Sequence, residues 1–291
     1  MTDDLPRSIW TELADLDFSL STVDAGGVPT RSLQAGHGDE TIIFLHGTSG
    51  HLEAFIRNLR PHAEKYRVHA IDMLGHGYTG KPDHRYEIPL YRDHLLAYMD
   101  AVGVERAHLG GESLGGWVGG RTAIDNPDRV ASLQLLCAGG TVANPEVMER
   151  IRTSTRLAVE TDDLELTRKR MRLLMADPIN ATEELVAIRH DIYHRPDFVQ
   201  NIDNLLSLQD METRLRNILK PEDLARITTP TLIVWGRNNP FGDVPEASAM
   251  HDNIPGSELV IFDDCGHWPQ HEQAERYNQI SLDFLAKHPV A

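Results

Sequence analysis

The pentapeptide Gly111-Glu-Ser-Leu-Gly115 fits the pattern G-x-S-x-G, and its surroundings are those such chemistry demands. An apolar run, Ala107-His-Leu-Gly110, precedes it, and Gly115-Gly-Trp-Val-Gly-Gly120 opens a helical pattern with small residues on its early face. A serine hydroxyl becomes a usable nucleophile on a sharp strand-to-helix turn, where flanking glycines leave room for the strained backbone. The positive end of the following helix helps hold the charge that develops when Ser113 attacks a carbonyl. His46-Gly-Thr48-Ser-Gly50 ends another apolar run, Thr41–Leu45. There the backbone N–H of Thr48, together with that of Leu114, is placed to receive a carbonyl oxygen turning negative.

Serine needs a base. His267, in Cys265-Gly-His-Trp268, follows the apolar run Glu258–Phe262 and precedes a terminal helical pattern. A histidine at a strand end can take the Ser113 proton and later return it. The chain has 15 histidines, so position selects this one, after the nucleophile and near the carboxyl end; His271 is the fallback. The residue that orients the imidazole is expected in Arg237-Asn-Asn-Pro-Phe-Gly-Asp243, after the run Thr231–Trp235. Spacing points to Asn239 and chemistry to Asp243, the nearest carboxylate. An asparagine carbonyl can fix the tautomer but brings no full charge to the imidazolium, so Asp243 is slightly favoured. Asp243 also fits a helix N-cap ahead of Pro245-Glu-Ala-Ser248.

These groups need a frame. Short apolar runs recur at Thr41–Leu45, Tyr66–Asp72, Ala107–Gly110, Leu133–Leu136, Thr231–Trp235 and Glu258–Phe262, with helical patterns between them. That rhythm predicts an α/β fold with a mainly parallel central sheet flanked by helices. Phe18–Val23 and Thr30–Leu33, around Ala25-Gly-Gly27, predict an antiparallel hairpin at its start. Residues 144–215 carry Met148, Met171, Met175, Leu185, Ile188, Ile192, Leu205 and Leu206 at helical spacing. They predict a helical cap inserted into a core of residues 1–143 and 216–291; crossover helices within the core are the plainer alternative.

Composition narrows the partners. With 28 Lys and Arg against 44 Asp and Glu, the formal charge of -16 disfavours nucleic acid and anionic lipid. Two distant cysteines, Cys137 and Cys265, offer neither a disulfide framework nor a CxxC clip, which suits a reducing, cytoplasmic setting. Met1–Trp10 is acidic without an apolar run, so no leader is expected, and no run is long enough to span a membrane. His62, His69, His76, His84, His94 and His108 lack ligand spacing, and neither HExxH nor a strand-linked G-x-G-x-x-G occurs. No metal, dinucleotide or other cofactor is therefore expected.

Taken together, Ser113, His267 and their contexts resemble the α/β-hydrolase superfamily across almost the whole chain. More narrowly, the chain resembles the meta-cleavage product hydrolases, which break a carbon–carbon bond in 2-hydroxy-6-oxo-dienoates from aromatic catabolism. The segments carrying this are Asp177–Arg189, Trp235-Gly-Arg-Asn-Asn239 and Cys265-Gly-His-Trp268 with Pro-Gln-His-Glu272 after it. The resemblance implies that Arg189 binds the anionic end of the substrate, that Trp268 lines the pocket, and that the protein is a homodimer. It implies that the dienol is first ketonised and that C6 is then attacked by Ser113 or by water activated through His267. Glu112, another substrate-binding candidate, stands where the family usually has asparagine; Asn239 stands at its triad aspartate, and Thr48-Ser49 replace glycines. Met148, Met171, Leu174 and Tyr193 are expected to shape the pocket. A carboxylesterase using the same residues, and a ligand-binding receptor on the same fold, are the alternatives. An aspartate-nucleophile dehalogenase or epoxide hydrolase is disfavoured by Ser113.

Overall fold

The computed structural model describes residues 8–290, so residues 1–7 of the acidic terminus, where the absence of a leader was expected, lie outside them. Eight strands form one sheet: β1 Phe18–Ala25, β2 Val28–Ala35, β3 Thr41–Leu45, β4 Arg67–Ile71, β5 Ala107–Glu112, β6 Val130–Leu136, β7 Thr231–Gly236 and β8 Glu258–Phe262. Their spatial order is β1-β2-β4-β3-β5-β6-β7-β8. β1 pairs β2 and β2 pairs β4 antiparallel; from β4 through β8 every pairing is parallel. The β1–β2 link is Gly26-Gly27, both at positive φ (64° and 89°), as the tight turn whose twist matches two paired strands requires.

β3, β5, β6 and β7 are buried at every position, because helices cover both faces of a parallel sheet. Successive side chains therefore feed two cores. Ile42 and Phe44 join Val68 and Val234 under α1 Ile56–Ala63, while Ile43 and Leu45 join Leu109 and Ile233 under α2 Ile88–Ala101 and α3 Leu114–Asp125. Each such side chain removed from water stabilises the fold by roughly 1.5–3 kcal/mol before entropy is counted.

No strand lies between β6 and β7. The chain there forms α4 Pro145–Glu160, α5 Leu164–Arg172, α6 Glu183–Tyr193, α7 Pro196–Gln200, α8 Ile202–Leu205, α9 Met211–Asn217 and α10 Pro221–Leu224. Asn144, Asp163 and Thr182 cap α4, α5 and α6 with their side-chain oxygens. The boundary expected at residue 215 falls inside α9. These helices dock over the carboxyl ends of the strands, where Leu174 O accepts from His267 N–H (2.7 Å) and Glu272 accepts from Ala176 N–H (2.7 Å). After β7 come α11 Val244–Asn253, then, past β8, α12 Pro269–Glu272 and α13 Ala274–Lys287. Among the described residues no helix is long and apolar enough to cross a membrane.

Candidate active site

Ser113 stands between β5 and α3 at φ 53°, ψ -111°, a conformation costly for a residue with a Cβ. Its neighbours hold it there: Ser113 N–H donates to Leu136 O (2.9 Å), and Ser113 O accepts from Gly139 N–H (3.0 Å). A Cβ on Gly111 would lie 2.3 Å from the carbonyl carbon of Gly115, and one on Gly115 would lie 2.1 Å from Leu45 O. The turn thus admits only glycine at both positions.

His267, in the loop after β8, has Nδ1 2.8 Å from Asn239 Oδ1. The same Oδ1 accepts from Phe241 N–H (3.1 Å), so it is an acceptor and His267 Nδ1 carries the proton. Asn239, and not the slightly favoured Asp243, therefore orients the ring. The Asp243 carboxylate accepts from Glu246 N–H (3.0 Å) as the N-cap of α11, one helix start beyond the turn that holds Asn239. We expect Asp243→Ala to cost about 1 kcal/mol of stability through the lost cap and to leave kcat within about threefold. Thermal denaturation beside steady-state kinetics checks this; a collapse of kcat would return Asp243 to the histidine. His271 is engaged elsewhere, with Nε2 against Asn180 O (3.0 Å), and burial holds its ring down at about 3.

On its other side, His267 Nε2 lies 3.0 Å from Glu112 Oε1, with both side chains buried. Glu112 Oε2 has no hydrogen-bond partner among the described residues. Gly47 makes the space, since a Cβ there would meet Glu112 Oε2 at 2.5 Å and Ser113 Cβ at 2.9 Å.

The loop after β3 aims its amide by a simple device. Gly47 O accepts from His46 Nδ1 (2.8 Å) and from Gly50 N–H (2.9 Å). Among the described residues every peptide is trans, so the Thr48 N–H of the same peptide plane points the opposite way. His46 Nε2 accepts from Met73 N–H (3.0 Å), which requires Nδ1 to be the donor. Burial, with His76 beside it, holds His46 well below the usual imidazole range and keeps it neutral. Leu114 opens α3, where first-turn N–H groups have no intrahelical acceptor. Thr48 and Leu114 line the same cavity as Ser113 and His267.

That cavity, about 480 Å³, also meets Trp117, Trp235 and Arg214. A narrow inner recess of about 20 Å³ adjoins it, and Thr48, Ser113 and His267 line both. Arg170 of α5 and Arg189 of α6 line the recess with Glu112 and Trp268. Arg189 is 1% exposed; Nη1 donates to Tyr193 Oη (3.2 Å), while Nε and Nη2 have no partner among the described residues. Arg170 reaches Thr155 Oγ1 through Nε (3.3 Å), and its Nη1 has none. Burial lowers the Arg170 guanidinium from its ordinary value. Burial alone would raise the Tyr193 phenol, but the charges of Arg189 and Arg170 outweigh it and hold the phenol below its usual value. Tyr193 donates to Ser49 Oγ (3.0 Å), which donates to Thr48 O (2.6 Å), so a hydrogen-bonded chain ties Arg189 to the loop carrying the Thr48 amide.

Arg189, Trp268 and Glu112 thus lie together beside Ser113. Of the expected pocket shapers, Leu174 lines the recess, whereas Met148, Met171 and Tyr193 are buried without lining either cavity. Arg170 was missed. Within Arg168-Lys-Arg170-Met-Arg172 it reads as a solvated charge, and only its helical spacing to Thr167, Met171 and Leu174 signals the buried face. Elsewhere Asp162, His190 and His194 bring three ligand-type atoms within 4.8 Å of one another, a grouping in which the two histidines stand one helical turn apart.

A strained serine at a strand–helix turn and a histidine at a strand end line one cavity with Thr48 and Leu114, a candidate hydrolase site on a mainly parallel sheet. The alpha/beta hydrolase fold family matches residues 40–274, and the chain belongs to it. Within it, the chain is 34% identical over 267 residues to 2-hydroxy-6-oxononadienedioate/2-hydroxy-6-oxononatrienedioate hydrolase 2 of Pseudomonas putida, covering 86% of this chain and 89% of the relative. It is 32% identical over 261 residues to 2-hydroxy-6-oxo-6-phenylhexa-2,4-dienoate hydrolase of Burkholderia cepacia, covering 87% and 89%. The solved structure of a meta-cleavage product hydrolase from Pseudomonas fluorescens superposes with a TM-score of 0.81 at 26% identity, covering 92% of this chain and 98% of that one.

Proposed function

We propose that the protein hydrolyses the C5–C6 bond of a 2-hydroxy-6-oxo-dienoate through Ser113 and His267. The observation that carries this reading is Ser113 standing where a wide cavity meets a recess holding two buried guanidiniums with unpartnered N–H groups. Buried charges without partners are costly, and a carboxylate with its neighbouring oxygen is what a planar N–H fork binds. With the substrate's C1 carboxylate on Arg189 and Arg170, its C6 substituent extends into the wider cavity.

In this reading the dienol first ketonises, its hydroxyl proton leaving O2 while C5 gains one. Ser113 Oγ adds to C6 as its proton passes to His267 Nε2, and the carbonyl electrons move onto an oxygen held by the Thr48 and Leu114 amides. The oxyanion then returns to a carbonyl as the C5–C6 bond breaks, the bond's electron pair running through C4 and C3 to the C2 oxygen, which takes the proton from His267 Nε2. Water, activated by His267, releases the acyl group as a carboxylic acid beside a 2-hydroxypentadienoate. The helices between β6 and β7 act as the cap that brings Arg170 and Arg189 over the site. The reading includes the homodimer implied by the family resemblance, and a cytoplasmic setting, which two buried free thiols suit.

The test is an absorbance assay of purified protein with a panel of 2-hydroxy-6-oxo-dienoates beside p-nitrophenyl esters. Rapid loss of dienoate colour with slow esterolysis is expected. Fast esterolysis with inert dienoates would make it an ester hydrolase, and silence on both would favour a receptor. Arg189→Ala should raise KM for the dienoate by about tenfold to a hundredfold, the worth of one charge-assisted contact, and change KM for a neutral ester far less. An equal effect on both substrates would remove its proposed role.

A further inference from the structure

We propose that Glu112 is a positioning residue that supplies the Ser113–His267 pair with the negative charge Asn239 lacks. The inference rests on the reading of Ser113 and His267 as nucleophile and base. A serine hydrolase needs an anionic neighbour for the imidazolium formed during attack, because a neutral carbonyl orients the ring without balancing its charge. Position 239 offers only that carbonyl, and its Oδ1 is already shared between His267 Nδ1–H and Phe241 N–H. The carboxylate sits on the opposite nitrogen, with Glu112 Oε1 3.0 Å from His267 Nε2.

Three further features mark this contact as more than a packing accident. Glu112 is 1% exposed, so its field on the ring is weakly screened. Its second oxygen, Oε2, is buried without a partner among the described residues, a cost that a purely structural carboxylate would shed by becoming an amide or an apolar side chain. And Gly47 leaves the volume the carboxylate occupies, since a Cβ there would lie within 2.7 Å of both its oxygens.

The proton accounting follows from the same geometry. Before the attack the ring carries its proton on Nδ1, donated to Asn239, and Nε2 is free to accept one. Ser113 Oγ forms its bond to the substrate carbonyl carbon as the π pair moves to oxygen, and the Oγ–H proton passes to Nε2. The Nε2–H so formed has Glu112 Oε1 within hydrogen-bond distance, so the cation is flanked by a carboxylate at the nitrogen that took the proton. When that proton passes on to the leaving group, both residues return to their starting forms. Glu112 touches the histidine rather than the reacting atoms, so its effect falls on kcat.

The experiment compares Glu112→Gln, Asn239→Asp and the double variant, using 2-hydroxy-6-oxo-6-phenylhexa-2,4-dienoate and p-nitrophenyl acetate as probes. Ser113→Ala and His267→Ala serve as controls. Glu112→Gln is expected to lower kcat about a hundredfold on both probes with KM within about threefold. Adding Asn239→Asp should recover most of that loss, because the charge returns at Nδ1. An unaltered kcat, a change confined to KM, or a loss that Asn239→Asp does not recover would each overturn the proposal. Should Glu112→Gln not fold, Asn239→Asp alone decides. A gain of only a few-fold is expected where Glu112 already supplies the charge, and a gain of about a hundredfold would show that the charge was missing. Activity surviving in Ser113→Ala or His267→Ala would instead defeat the underlying reading, which keeps the two failures apart.

Discussion

Ser113→Ala is expected to lower kcat on any productive substrate by about ten-thousand-fold or more, leaving only what the amides and the binding cavity contribute. The size follows from the number of functions that meet on one oxygen. In the proposed mechanism it attacks, hands its proton to His267, and places the carbonyl oxygen against the Thr48 and Leu114 amides. Alanine should fold as well as serine at this position. Both carry a Cβ at φ 53°, and the hydrogen bonds that hold the turn are made by the backbone of residue 113. The melting temperature should therefore move by no more than a few degrees, separating lost chemistry from lost structure. Combining Ser113→Ala with His267→Ala should cost little beyond either change alone, because the two act as a unit. Single-turnover kinetics with the dienoate and acyl-enzyme trapping with the ester provide the measurement. Activity that persists in Ser113→Ala would mean that water, and not the serine, attacks the carbonyl.

The second large effect is loss of the fold in mild acid. His51, His62, His69 and His94 are held at about 4, and His76 and His271 at about 3, in every case chiefly by burial. Their hydrogen bonds suit neutral rings; His62, for example, spans Asn58 O and Ser281 Oγ. An unfolded histidine takes up its proton near 6.5, while these folded ones refuse it until about 3 to 4. Between those values the unfolded chain binds more protons, so stability is present above pH 6.5 and is lost as the pH falls. Each ring contributes up to about 1.4 kcal/mol per pH unit in that window. Asp72 opposes this. Burial, outweighing Arg31, raises it to about 6, so acidification protonates it in the folded state first. Glu246 and Glu272 are raised by burial as well, but the buried rings outnumber these three carboxyls, so the net change is a loss of stability as the pH falls from 6.5 towards 4. Urea midpoints at pH 7, 6 and 5, followed by far-UV circular dichroism, should fall steeply. A midpoint unchanged down to pH 4.5 would mean that the buried rings take up protons without disturbing the fold.

What could be read along the chain was whatever depends on neighbours in sequence. The strand runs showed because a sheet covered on both faces demands continuous apolar stretches, and β3 coincides with Thr41–Leu45. The nucleophile turn showed because its glycines answer a local steric demand. The placing of His267 needed only a strand end and chain order. Asn239 against Asp243 was different in kind. Both lie in one short loop, and the choice depended on where α11 begins, since a capping aspartate is bound to the helix it starts.

Contacts between distant segments were decided by the tertiary structure alone. Glu112 and His267 are 155 positions apart, and nothing in either segment announces that a carboxylate will face Nε2. The two guanidiniums come from different helices of the segment between β6 and β7, one of them hidden in a run of charges that reads as solvent-facing. The sequence by itself therefore determined the sheet, the strained turn at Ser113 and the place of His267 at a strand end, because backbone conformation and strand patterning are set by adjacent residues. Which charges flank His267 and fill the recess was decided only by packing, because burial and electrostatic pairing depend on distances in space that no local pattern encodes.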